Sequence, residues 1–330
     1  MNVLVIGGGG YVGSLLVPAL LNENFNVKVI DLFMFGEPRI IYGDLLKNEN
    51  FSVIKADIRD FDILEDIVSN MDAVIHLACI SNDPSFELNP ELGKSINFDC
   101  FLPMVKFCKL KKVKKFIYAS SSSVYGIKDN ENVTENLSLE PLTDYSKYKV
   151  MCENVLLNES NDSMISTVLR PATVCGYSPR TRLDVIVNIL TNHAYINNKI
   201  TIFGGNQKRP NIHIKDMVRA YLLILKEKDK NVNSEIFNVG YENYSLDQLA
   251  NMVIDTVKKE IILCHKETND LRSYHVSSEK ILKKLNFKPN FTIQNAVEDL
   301  CEAFEIGLLP NSIEDPRYYN IKTMQLLNLK

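Results

Sequence analysis

Val3-Leu4-Val5-Ile6-Gly7-Gly8-Gly9-Gly10-Tyr11-Val12-Gly13 is the stretch from which the rest of the chain is read. Four apolar residues stopped by glycine form a short buried strand, and residues 11 to 22 carry apolar positions at helical spacing. Gly7, Gly10 and Gly13 give G-x-x-G-x-x-G at the junction. The first glycine permits a tight turn, the second lets the backbone approach a pyrophosphate, and the third lets helix and sheet pack closely. Phosphates then sit on the helix N-terminus. Gly7, Gly10, Tyr11, Val12 and Gly13 are therefore candidate cofactor contacts.

Short β-branched runs alternate with helical stretches downstream. Strands are expected at Val27–Ile30, Phe51–Ile54, Ala73–Leu77, Phe116–Ala119 and Ser166–Leu169. This alternation predicts an α/β, Rossmann-like, doubly wound parallel sheet with helices on both faces. After about Arg170 the pattern loosens into helices over 183–197, 213–227 and 245–259, with strands at Lys199–Phe203 and Ile236–Val239. Residues 1–170 are read as an NAD-binding domain and 171–330 mainly as a smaller C-terminal α/β substrate-binding lobe, the boundary interleaved.

Asp31 ends the second strand. A carboxylate there accepts hydrogen bonds from ribose hydroxyls and repels a 2′-phosphate, which favours NAD over NADP; a plain turn residue is the alternative. Asp57 and Ile58, after the third strand, are placed to contact adenine, although an Asp there also suits a helix N-cap.

Composition is that of an ordinary globular chain, 45% hydrophobic and 24% charged over 330 residues. The net charge of −4 gives no reason to expect nucleic acid. The basic run Lys109 to Lys115 reads as a solvated helix end before a buried strand. Seven scattered cysteines without metal-ligand spacing favour a reducing compartment and no metal. Met1 runs directly into a strand with no basic leader, and no apolar stretch reaches the ~20 residues of a membrane span. A cytoplasmic enzyme without a membrane partner is expected.

Tyr145-Ser146-Lys147-Tyr148-Lys149 contains Y-x-x-x-K, which puts Tyr145 and Lys149 on one helix face. An ammonium near the phenol would stabilise the phenolate; a shift of ~3 pKa units takes roughly 4 kcal/mol, part of it expected from the positive nicotinamide ring. Tyr145 then serves as a general base for a hydroxyl. Upstream, Ser120-Ser121-Ser122-Ser123-Val124-Tyr125-Gly126 follows the fifth strand and offers a hydroxyl to the same substrate oxygen.

In these features the chain resembles the extended short-chain dehydrogenase/reductases that act on nucleotide sugars, the epimerase/dehydratase group. The resemblance spans nearly the whole chain. It runs through the glycine motif, His76-Leu77-Ala78, Asn97 in Ser95-Ile96-Asn97, Ser120 to Gly126 and Tyr145 to Lys149. It continues through Arg170 to Gly176, Ile202 to Gly205 with Arg209, and Ile212 to Asp216. It implies Ser121 as the catalytic hydroxyl, Tyr145 as the base, and Lys149 as holder of the nicotinamide ribose. It places Leu77, Ala78 and Asn97 around the cofactor, with Ser121, Ser122 and Thr173 near the sugar. Arg209 and Arg272 are implied as contacts to the nucleotide diphosphate. The chain departs from the group where R-D-[FY]-[IV]-H is usual, reading Arg209-Pro210-Asn211-Ile212-His213, and Thr173 stands where many members carry asparagine.

Ser122 and Ser123 stand where 4,6-dehydratases of the group carry acids, and Ser123 stands where others carry a cysteine or glutamate. What remains is NAD-dependent oxidation at C4 of a nucleotide-linked sugar. A 4-epimerase is the preferred expectation. A C4 dehydrogenase that releases a keto sugar for capsule or lipopolysaccharide synthesis is the alternative, and a non-catalytic NAD sensor a third. The resemblance further implies a homodimer or higher homo-oligomer built on residues 98 to 110 and 145 to 159, although either helix could instead face its own core.

Overall fold

The computed structural model describes residues 1–128, 132–161, 163–268 and 275–328. In chain order the strands are β1 Asn2–Ile6, β2 Asn26–Asp31, β3 Phe51–Lys55, β4 Ala73–His76, β5 Lys115–Ala119 and β6 Ile165–Pro171. They continue as β7 Thr173–Cys175, β8 Lys199–Phe203, β9 Lys208–His213, β10 Glu235–Val239, β11 Glu242–Ser245 and β12 Ile262–Lys266. Seven form a parallel sheet in the order β10-β6-β5-β4-β1-β2-β3. The strand order reverses between β1 and β4, and open α/β sheets bind ligands at such a point.

The run Val3 to Ile6 is apolar throughout because both faces of the sheet are covered. Val3 and Val5 join one buried cluster with Leu16, Leu20 and Tyr221. Leu4 and Ile6 point the other way, toward Phe101, Met104 and Leu156. The first layer carries the helices Gly13–Asn22 and Ile214–Lys226, and the second the helices Phe61–Ile67, Phe101–Leu110 and Asp144–Glu159. Lys109, Lys111, Lys114 and Lys115 of the basic run all pair with carboxylates at the foot of the sheet.

Two features of the sheets were not visible in the sequence: the placement of the expected strand at Ile236–Val239, and a small polar sheet. β10, read as part of the second half, pairs with β6 and completes the main sheet, because the helix Ile214–Lys226 carries the chain back across it. The small sheet β11-β9-β7 contains Lys208–His213 and Glu242–Ser245, which have no apolar run. Their positions come from pairing partners and not from local pattern. A pair β12-β8 packs with the helices Ile186–Asn197, Leu246–Val257 and Ile293–Glu305 around a separate core of Val187, Leu190, Leu249 and Val297.

Candidate active site

At the carboxyl ends of β1, β4 and β5 the structure opens into a cavity of about 540 Å³ that continues between the main sheet and the second lobe. That size suits a bound small molecule. Gly7, Gly10, Tyr11, Val12 and Gly13 line it. So do Asp31, Asp57 and Ile58 after β2 and β3, and Leu77 and Ala78 after β4. Ser121, Ser122, Tyr145 and Lys149 line its other end, with Thr173 and Arg209 contributed by the second lobe. Arg272 lies outside the described residues.

Gly7 has φ +83°, and a Cβ there would lie 2.5 Å from the backbone nitrogen of Ala78. At Gly13 a Cβ would lie 2.2 Å from the carbonyl oxygen of Gly8. Neither position admits a side chain, so the turn stays narrow and the helix starts hard against it. Burial pushes the Asp31 carboxyl up, opposed by hydrogen bonds from the backbone N–H groups of Phe33 (2.7 Å) and Gly9 (2.9 Å). Each carboxylate oxygen keeps a lone pair for a further donor. Burial, then the neighbouring Arg182, pull Arg180 below its ordinary value, while Asp184, Asp31 and Tyr11 oppose this. A glycine cradle, an under-solvated carboxylate and a cation seeking an anion fit the diphosphate and ribose of NAD.

Three of the proposed contacts have structural partners. The Tyr11 hydroxyl donates to the Gly176 carbonyl at 2.5 Å and accepts from Asn188, tying the glycine loop to the second lobe. Asp57 accepts from the Arg59 guanidinium; the N-cap of the following helix is Asp60, which accepts from Ile63. Asn97 does not line the cavity. It sits in one π-turn, Ser95–Asp99, where its side chain accepts from the Ile80 backbone at 2.8 Å and donates back at 3.0 Å. It thereby shapes the loop after β4.

The reactive end is built from β5 and the helix Asp144–Glu159. That helix begins in a capping box between Thr143 and Ser146, which fixes where its first turn, with Tyr145, starts. Ser121 closes β5 as the N-cap of a short turn and accepts from the Ser123 backbone N–H (3.1 Å) and hydroxyl (2.9 Å). Tyr145 and Ser121 both line this end of the cavity, and the Ser121 side chain acts to lower the Tyr145 pKa. Lys149 is 4% exposed; its ammonium donates to the Ala119 carbonyl at 2.6 Å and lies 5.8 Å from the Tyr145 ring centre. Behind them, the buried Glu153 takes both a bidentate pair from Arg170 (3.0 and 2.6 Å) and the hydroxyl of Ser120. Arg170 also donates to Tyr125 at 2.8 Å.

The expected drop in the Tyr145 pKa calls on the Lys149 ammonium together with the positive nicotinamide ring, whose charge comes with the cofactor. Burial pushes the Tyr145 phenol well above its ordinary value, Cys79 and Asp83 add to this, and Arg182 and the Ser121 side chain oppose it. The ammonium is committed to a carbonyl, and a phenol in an apolar site resists ionising.

The sequence reading missed a whole wall: Arg180, Arg182 and Asp184, with Ser81 and Asn320, all line the cavity. Arg182 donates to Asp184 at 2.9 Å and to Ser81 at 3.1 Å. Arg180 lies over the Phe35 ring at 3.8 Å and donates to Asn320 at 2.6 Å. The alternation Arg180-x-Arg182-x-Asp184 was the available signal; Asn320 has none nearby. Among the described residues, no helix is long and apolar enough to cross a membrane.

The model of a family described as the NAD dependent epimerase/dehydratase family matches residues 3–240. A UDP-glucose 4-epimerase of Lactobacillus helveticus is 29% identical over 277 residues, covering 77% of this chain and 82% of that protein. The structure of a UDP-glucuronic acid 4-epimerase from Bacillus cereus, in complex with UDP-glucuronic acid and NAD, is similar at a TM-score of 0.82 and 27% identity, covering 93% of this chain and 99% of its own. A UDP-glucose 4-epimerase from Thermotoga maritima, with UDP-glucose, is similar at a TM-score of 0.82 and 25% identity, covering 93% of this chain and 100% of its own.

Proposed function

For this chain, which belongs to the NAD dependent epimerase/dehydratase family, we propose the activity of a nucleotide-sugar 4-epimerase. The observation that carries the reading is the gathering of Ser121, Tyr145 and Lys149 at one end of a cavity whose other end holds the glycine cradle and Asp31. Ser122 and Ser123, next to Ser121, supply hydroxyls and no carboxylate, so the site is equipped to oxidise and reduce one carbon and not to expel water.

Ser121 holds the sugar's C4 hydroxyl against Tyr145, and the Tyr145 oxygen removes its proton as C4 becomes a carbonyl. NAD, held by the glycine cradle and Asp31, would supply a positive ring that favours the phenolate and a reversible acceptor for the C4 hydride. Tyr145 gives its proton back to the same oxygen, so substrate and product differ only in configuration. Lys149 steadies the nicotinamide ribose; Gly7, Gly10, Gly13 and Asp31 hold the remainder of the cofactor, as the relatives' complexes support. Thr173 and Arg209 face the sugar and its diphosphate. Residues 1–170, interleaved with β10 and the helix Ile214–Lys226, form the cofactor domain, and the rest of 171–330 supplies most of the substrate lobe. The enzyme acts in the cytoplasm. It pairs with a second copy through the helices Phe101–Leu110 and Asp144–Glu159, where Leu102, Leu110 and Met151 are exposed.

The purified protein is incubated with UDP-, GDP-, CDP- and dTDP-sugars, and products are followed by mass and NMR. A product of unchanged mass with inverted C4, and no lasting near-ultraviolet absorbance from reduced cofactor, is expected. A product two hydrogens lighter would replace the epimerase with a C4 dehydrogenase.

A further inference from the structure

The wall that the sequence did not reveal is fastened at one residue near the end of the chain. The segment Arg180–Asp184 runs along the cavity: Arg180 interacts with Asp31 at the cofactor end, and Arg182 with Tyr145 at the reactive end. Asn320 begins the helix Asn320–Leu326 and is 3% exposed. Its backbone N–H donates to Asp184 at 2.9 Å, and its amide nitrogen donates to the Ser81 hydroxyl at 2.8 Å. Its amide oxygen accepts from Arg180 at 2.6 Å. With the Arg182 bonds to Asp184 and Ser81, these close a ring through three segments: the loop after β4, Arg180–Asp184, and a C-terminal strap running from Leu309 through the helix Asn320–Leu326. The strap is anchored independently, by Leu309, Tyr318 and Tyr319 packed with Leu183 and Leu300, and by the Leu183 N–H donating to Tyr318 at 2.9 Å.

We infer that Asn320 determines the outcome of the reaction by latching the Arg180–Asp184 segment over the cavity, so that the 4-keto sugar and the cofactor stay in place between the two hydride transfers. The inference rests on the epimerase reading. Return of the hydride requires that neither partner leaves while the keto sugar turns over, and the elements that cover a site set that release. A latch made of side-chain hydrogen bonds suits the task, because its donors and acceptors can exchange to water one at a time when the site opens. Asn320 touches neither reacting atom; it acts through Arg180, Ser81 and Asp184 as a positioning residue.

Asn320→Ala is tested as the full-length holoenzyme in two ways. The first measures the rate at which NAD is lost from the protein on rapid desalting, without substrate. The second traps free 4-keto sugar with borodeuteride during turnover and counts deuterium at C4 per epimerisation event. About tenfold faster NAD loss, and about tenfold more labelled sugar per turnover, are expected from losing one side chain's hydrogen bonds. Ser81→Ala removes the opposite anchor and is expected to move both readouts the same way; it carries the test if Asn320→Ala does not fold. Folded variants with wild-type NAD retention and wild-type keto release overturn the latch. Should the wild-type protein invert no sugar but release keto sugar, the epimerase reading falls and with it the retained intermediate, while faster NAD loss from the variant still registers the latch on the cofactor.

Discussion

The two walls of the cavity are held by different kinds of bond. The wall carrying Gly7 to Gly13 and Ser121 stands on adjacent parallel strands fixed by the backbone hydrogen bonds of β1, β4 and β5, and the capped helix bearing Tyr145 and Lys149 is tied to it through Lys149 and the Ala119 carbonyl. The facing wall, Arg180 to Asp184 with Asn320, is held by side chains drawn from segments far apart in the chain. The chemistry that demands fixed geometry sits on the first. Separate polar contacts like those of the second give way at lower cost than a sheet.

The most direct way to break this contrast is Tyr145→Phe. If the first wall carries the proton transfer, kcat falls by about 10³-fold or more, while thermal stability and NAD retention stay as in the wild type. Substantial turnover would shift the base to the facing wall. Glu153→Gln tests what stiffens the first wall. Glu153 and Arg170 are each 2% exposed and paired, so leaving the buried guanidinium without its carboxylate should cost about 3–5 kcal/mol in urea unfolding. A loss below about 1 kcal/mol would mean that the strands alone suffice.

His76, at the end of β4, gives the same wall a pH signature. Burial first, and Lys149 second, push its imidazole down to about 3 from 6.5, and the ring stacks on Tyr118 at 5.8 Å. Because the unfolded chain binds the proton more readily, this contribution is present above pH 6.5 and is lost progressively as pH falls toward 3. Urea titrations should show about 2 kcal/mol lost by about pH 5, and a His76→Leu variant should lack that share of the slope. At the cofactor end, Asp31→Ala should weaken NAD binding by about tenfold in calorimetry, the effect of losing hydrogen bonds to a charged group. Unchanged affinity would leave Asp31 as a turn residue. The smallest effect belongs to the second wall. Tyr319→Phe removes a hydroxyl that donates to Ser312 at 2.8 Å and accepts from Asn192 at 3.0 Å. A loss of about 1 kcal/mol is expected, together with faster amide exchange confined to the C-terminal strap.

The glycine cradle was legible because its requirements are local. A strand, a turn without room for a Cβ, and a helix start follow one another within a few residues. Asp31 and the Tyr145–Lys149 pair were legible for related reasons, one at a strand end and the other at a fixed helical spacing. Asn97 shows the limit of that reading: its presence was noticed, but only the π-turn reveals that its amide is spent on the backbone of Ile80. The small sheet was missed because Arg209 and Asn211 lie on a polar strand whose partners, β7 and β11, come from elsewhere in the chain.

By itself, then, the sequence determined the parallel sheet, the cradle with its acid, and the Ser121, Tyr145 and Lys149 constellation, because period, spacing and glycine placement act over one strand or one helical turn. Only the tertiary structure decided what faces them. Ser81, Arg180, Arg182, Asp184 and Asn320 meet through side-chain bonds, and no local preference of their segments requires it. Their meeting depends on how the second lobe and the C-terminal strap pack against the sheet, and that is settled by the burial of Leu183, Leu300, Tyr318 and Tyr319.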